Sequence, residues 1–212
     1  MKNYTYQKDN FTIVKKALPN NIVTFLFKYF LRKKQIAKFL KDNKYISPFE
    51  EAFGIFSDSQ VPNPNTFIIY GDPAMDTILE ELLPLMNKKT NLKLAPTYSY
   101  GRVYAKGDVL KRHKDREECE VSTTLNLGGE PWAIYLDPSG NKGKKGVKVI
   151  LEAGDMLIYS GCRLEHWRNS FKGNVCAQVF FHYNKISDSS RTLYDGRPFL
   201  GLPSYFKTNK NT

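Results

Sequence analysis

The 212-residue chain carries 41% hydrophobic and 25% charged residues, the balance of a folded domain rather than a disordered one. Its net charge of +11 raises the question of a polyanionic partner, but the lysines lie largely in Asn/Lys-rich stretches such as Asn87 to Lys93 and Lys207 to Thr212, which read as composition. No apolar run approaches the length of about 18 residues that a membrane-spanning helix needs. The opening MKNYTYQKDN lacks the apolar centre of a secretory signal, and Cys119, Cys162 and Cys176 form no CxxC pair, so the expected compartment is the reducing cytoplasm.

In chain order, Phe11 to Val14 reads as a short strand. Pro19-Asn20-Asn21 then offers helix-start chemistry, followed by apolar residues at Ile22, Phe25, Leu26, Tyr29, Phe30, Ile36, Phe39 and Leu40. This predicts a helix of several turns with Arg32, Lys33 and Lys34 near its exposed side. The segment from Tyr45 to Asn65, with Pro48, Pro62 and Pro64, reads as an irregular connection. Asp72-Pro73 opens a second helix that places Met75, Ile78, Leu79, Leu82, Leu83 and Met86 on one face.

From Leu94 onward the pattern changes to short strands. Thr97 to Tyr104 alternates, so Tyr98, Tyr100, Arg102 and Tyr104 share a face. Further strands are expected at Val109 to Asp115, Glu120 to Leu127, Trp132 to Leu136, Val147 to Leu151, Asp155 to Tyr159, Leu164 to Arg168 and Val175 to Tyr183, most of them parted by Gly- or Pro-containing turns. About eight strands at this spacing predict a mainly β, α+β chain: a jelly roll covered on one face by the N-terminal helices. The expected organisation is one domain over 1–212, with a helical support (1–93), a β core (94–184) and a tail (185–212). Lys142, Lys144, Lys145 and Lys148 sit in a Gly-rich segment that reads as a solvated hairpin loop, and Asp137 to Gly140 as a turn.

Residues two apart on a strand face the same way, so His113 and Asp115 project together, and a second imidazole would complete the 2-His-1-carboxylate set of non-haem Fe(II) oxygenases. Only two other histidines exist. His166 follows the Gly154-Asp155 strand, whereas His182, inside the apolar run Val179 to Tyr183, fits a core or strand-end residue better. Trp132 and Trp167 read as packing residues, with Trp167 turned away from the metal if His166 faces it.

The spacing Tyr104, Gly107, Leu110, His113, Asp115 resembles the Y-x2-G-x2-[YL]-x2-H-x-D signature of prolyl 4-hydroxylase-like 2-oxoglutarate/Fe(II) dioxygenases. Thr123 to Leu127, Ala153-Gly154-Asp155 and Gln178 to Phe181 resemble later elements of that family, so the likeness spans roughly Tyr98 to Asn184. It implies a double-stranded β-helix of cupin-like, jelly-roll type. It also implies Fe(II) on His113, Asp115 and His166, with 2-oxoglutarate and O2 as co-substrates and ascorbate as an accessory reductant. Tyr104 then corresponds to the tyrosine that hydrogen-bonds the far carboxylate of 2-oxoglutarate.

One departure stands out. The family usually carries a Lys or Arg nine to eleven residues after the distal histidine, and this chain has Val175-Cys176-Ala177 there. A buried dianion needs a cation. Arg168, on the same strand face as His166, is the expected substitute, with Arg102, Arg163 and Lys172 as alternatives. The expected activity is hydroxylation of a peptidyl residue or an amino acid with release of succinate and CO2. The alternatives are an AlkB-like nucleic-acid demethylase, disfavoured because Val175 to Tyr183 holds no arginine, and a non-catalytic cupin-like binding module.

Overall fold

The computed structural model describes residues 3–140, 145–186 and 193–208. A single helical turn, α1 (Tyr6–Asp9), leads into β1 (Phe11–Val14) and the long helix α2 (Asn20–Asp42). Two short strands, β2 (Ile55–Phe56) and β3 (Phe67–Tyr70), precede helices α3 (Pro73–Glu81) and α4 (Leu83–Thr90). The remaining strands are β4 (Leu94–Ala105), β5 (Leu110–His113), β6 (Val121–Gly129), β7 (Ile134–Asp137), β8 (Val147–Val149), β9 (Met156–Ser160), β10 (Glu165–Arg168) and β11 (Val175–Lys185).

These strands form two sheets, ordered β1-β9-β6-β11-β4-β3-β2 and β5-β10-β7-β8. The chain passes from one sheet to the other at almost every turn after β4. That alternation is the double-stranded β-helix, and it leaves a cavity lined from both sheets.

Alternation along the larger sheet separates two environments. Val103, Leu125, Ala177, Val179, Phe181 and Tyr183 face outward and pack with Val23, Leu26, Phe30, Ala37, Met75 and Leu79 of the helices. The residues between them (Arg102, Tyr104, Thr124, Gln178) point into the space between the sheets. Phe30 seats directly against Gly101, where a Cβ would come within 2.2 Å of its ring, so β4 gives up a side chain to let the helix approach. The expected helical cover of one face is therefore what the outer face of the larger sheet carries.

Several expectations are corrected. The buried stripe of α2 is Val23, Leu26, Phe30 and Ala37, while Phe25, Ile36 and Phe39 are exposed. The sheet covers a narrower arc than the sequence offers. The second helix is two: its cap is as expected, Asp72 accepting from the Ala74 and Met75 amides, but Leu82 breaks it. Pro84 lies at the start of the new helix, where its missing N–H is harmless. β2 and β3 were not foreseen, since strands of two and four residues carry little periodic signal. Asp115 lies just past the end of β5 rather than on it. The turn at Asp137 is as expected, with its carboxylate accepting from the Ser139 amide and hydroxyl. Lys145 and Lys148 are exposed on the β7–β8 hairpin, and Lys142 and Lys144 lie outside the described residues, as do 187–192 and 209–212 of the tail. None of the three cysteines is in a disulfide, and no described helix is long and apolar enough to cross a membrane.

Candidate metal centre and its pocket

Antiparallel pairing of β5 with β10 sets His113 directly opposite His166, so that the two imidazole centroids are 4.3 Å apart. Each ring is oriented by its own strand: His113 Nδ1 lies 2.7 Å from the Lys111 carbonyl and His166 Nδ1 3.1 Å from the Leu164 carbonyl. A carbonyl can only accept, so each Nδ1 carries a proton, and Nε2 is the atom each ring can offer to a metal. Asp115 is fixed after β5 by its amide, which donates to the Gly161 carbonyl at 3.0 Å. Gly161 has to be glycine, because a Cβ there would fall 2.5 Å from Asp115 Oδ2.

Asp115 Oδ1 is 3.7 Å from His113 Nε2 and 3.4 Å from His166 Nε2. The three side chains offer ligand atoms within 4.8 Å of one another, the only such group of three or more His, Cys, Asp or Glu among the described residues. Two imidazoles and a carboxylate on one side of an open space fit a hard-to-borderline divalent ion such as Fe(II). Burial opposes ionisation of Asp115, but His166, His182 and a hydrogen bond from Ser122 more than offset it and hold the carboxyl below its ordinary range. Burial, helped by the neighbouring His166, pushes the His113 pKa down.

Behind the carboxylate stands a support that the sequence reading missed. Ser122 Oγ donates to Asp115 Oδ2 at 2.7 Å and lies 3.0 Å from His182 Nδ1. Having spent its only proton, Ser122 accepts from His182, leaving Asp115 Oδ1 as the free ligand atom. His182 is a buried strand residue, as expected, but it borders the cavity as well. Alternation could have flagged Ser122, two residues from Thr124.

The cavity, about 280 Å³, is bordered by these three side chains and by Tyr98, Tyr100, Arg102 and Tyr104 along the inner face of β4, the set that alternation predicted. Gln60, from the irregular connection between β2 and β3, reaches in from above, its amide nitrogen 2.9 Å from His113 Nε2. Trp167 is turned away, stacked on Tyr135 and under Arg112.

Of the four candidate cations for 2-oxoglutarate, Arg163 and Lys172 are exposed. Arg102 is buried but paired, its Nη2 2.6 Å from Asp58 Oδ2. Arg168 is buried too, and among the described residues no carboxylate pairs with it. Its Nη1 donates to the Trp132 carbonyl and its Nη2 to Thr124 Oγ1 at 3.4 Å, while Nε has no partner. Burial lowers its pKa, and the groups that act on it electrostatically are Tyr104, Cys176 and Tyr159. Cys176 stands where the resemblance led one to expect a lysine or arginine; the guanidinium from β10 fills that neighbourhood instead. Arg168 does not itself border the open cavity; Tyr104 and Tyr159 do, and Arg168 adjoins both. The Tyr104 hydroxyl is buried without a hydrogen-bond partner. An orphaned hydroxyl on the cavity wall, with a cation that no carboxylate pairs behind it, suits the carboxylate of a small diacid.

No family model and no curated protein matches this sequence. In fold, the chain is similar to a prolyl-4-hydroxylase of Pseudomonas putida, with 18% identity over 85% of this chain and 95% of that one and a TM-score of 0.60. It is also similar to HygX of Streptomyces hygroscopicus, crystallised with nickel and 2-oxoglutarate (13% identity, 88% and 87% covered, TM-score 0.58). A third likeness is to SnoN, a non-haem α-ketoglutarate-dependent epimerase of nogalamycin biosynthesis (13% identity, 93% and 91% covered, TM-score 0.62). At these identities the likeness is one of fold.

Proposed function

We propose that the protein is an Fe(II)- and 2-oxoglutarate-dependent oxygenase that hydroxylates an unactivated C–H bond of an amino acid or a peptidyl residue. The observation that carries this reading is the cross-strand pair His113/His166 closing on Asp115 inside a double-stranded β-helix. When bound, the metal and 2-oxoglutarate supply O2 activation, with release of succinate and CO2. His113, Asp115 and His166 would hold the metal, and this three-ligand set would leave it positions for the co-substrate and O2. The Lys111 and Leu164 carbonyls keep the two imidazoles in the ligating tautomer, and the Ser122–His182 pair keeps Asp115 ionised and aimed. Tyr104 and Arg168 hold the far carboxylate of the co-substrate: one donates a hydrogen bond, the other supplies the missing charge. The absence of disulfides suits a cytoplasmic setting.

The test is succinate formation in the presence of Fe(II), 2-oxoglutarate and O2. His113→Ala is expected to abolish it and to weaken metal binding by at least about 100-fold, as read by calorimetry. Binding of 2-oxoglutarate without succinate formation under any condition would make the chain a binding module. A nucleic-acid demethylase is the weaker enzyme reading, because β11 carries no arginine across Val175–Lys185.

A further inference from the structure

Arg102 lies one step along β4 from Tyr104, toward the half-exposed side of the cavity where Tyr100, Gln60 and Phe180 stand. It is 1% exposed, lines the cavity, and is flanked by the Tyr100 and Tyr104 rings at 5.3 and 5.4 Å. Its counter-ion does not come from the β-helix. It comes from Asp58, in the irregular connection between β2 and β3 that also contributes Gln60. Asp58 Oδ2 accepts from Arg102 Nη2 at 2.6 Å and from the Tyr100 hydroxyl at 2.8 Å, and Oδ1 accepts from the Val61 amide at 2.7 Å.

The pairing is incomplete. A guanidinium binds a carboxylate best through two parallel N–H bonds, and the Nε–H shares an edge with Nη2. Asp58 takes only Nη2, and Nε is left buried with no partner. Its second oxygen is tied to its own loop at Val61 and does not reach. A carboxylate free of that loop could engage both nitrogens and the Tyr100 hydroxyl together.

We propose that Arg102 and Tyr100 form the anchor for a carboxylate of the substrate, and that Asp58 holds the position as an internal counter-ion until that carboxylate replaces it. The inference rests on the oxygenase reading of the neighbouring metal centre and adds the substrate class: a small molecule carrying a carboxylate, such as a free or N-acylated amino acid. Arg168 and Tyr104 are left to the co-substrate. Replacement of Asp58 also loosens the 57–66 connection, coupling substrate binding to the segment that covers His113.

The experiment uses the full chain loaded with Zn(II) and 2-oxoglutarate. Ligand-observed NMR follows the binding of free L-amino acids, their N-acetyl derivatives and the matching carboxamides. The best acid is expected to bind at least ten-fold more tightly than its amide. Asp58→Asn should strengthen acid binding about three-fold or more and speed amide-hydrogen exchange in 57–66, since it weakens the competitor for Arg102. The double variant Arg102→Gln with Asp58→Asn leaves no lone buried charge, so it should stay folded by thermal melt and lose the acid-over-amide preference. If no acid outbinds its amide, if Asp58→Asn weakens acid binding, or if the folded double variant keeps the preference, the anchor is wrong. A wild-type protein that binds neither Zn(II) nor 2-oxoglutarate would instead fail the underlying reading of the metal site.

Discussion

Two buried arginines adjoin Tyr104, Arg102 on the cavity wall and Arg168 behind it, and they are built on different principles. On the cavity wall, Arg102 is neutralised by Asp58 and steadied by two tyrosine rings. Behind the cavity wall, Arg168 has the Trp132 ring at 5.0 Å, the Trp132 carbonyl and a weak hydroxyl contact, but no anion among the described residues. A guanidinium out of water without an anion costs several kcal/mol after relaxation, which carbonyl and ring contacts offset only in part and a ligand's carboxylate would offset further. A paired guanidinium is stable without ligand and can be competed for. On the proposed reading, Arg168 awaits the anion of the co-substrate, whereas Arg102 exchanges one anion for another.

The sharpest way to break this comparison is to remove Arg168. Arg168→Met should weaken 2-oxoglutarate binding by about 2–5 kcal/mol, roughly 30-fold or more, by calorimetry on the Zn(II)-loaded protein. Unchanged affinity would move the co-substrate's anchor elsewhere. Opposite stability changes come next. Without ligand, Arg168→Met should raise stability by about 1–3 kcal/mol, because an unpaired buried charge disappears, whereas Arg102→Met should lower it by a similar amount, because Asp58 loses its partner. Chemical denaturation of both variants reads the two signs, and equal signs would dissolve the contrast.

Moving the charge sharpens the same point. In the double variant Arg168→Met with Cys176→Lys, the cation returns to β11, and at least ten-fold of the lost 2-oxoglutarate affinity should come back if the two side chains address one space. The smallest expected effect is at Tyr104. Tyr104→Phe should cost about 1 kcal/mol in 2-oxoglutarate binding, some five-fold, with no loss of stability without ligand, since its hydroxyl has no partner to lose.

Local patterns made much of this molecule legible. Strand alternation put Tyr98, Tyr100, Arg102 and Tyr104 on one face and joined His166 to Arg168, because a pleated strand repeats every two residues whatever surrounds it. The positions of most strands along the chain, the apolar faces of the helices and the Asp72 cap follow from the same short-range rules. Other features are written at long range. That Arg102 meets Asp58, 44 residues earlier, depends on the irregular connection folding over the sheet, which no periodicity records. That Ser122 and His182 support Asp115 depends on the pairing of β6 with β11, and that His166 rather than His182 meets His113 depends on the register of β10 against β5. The sequence by itself determined which side chains share a strand face in the β core and which chemistry they can offer. Only the tertiary structure decided which buried charges found partners, because burial and pairing belong to the packed chain and not to any segment of it.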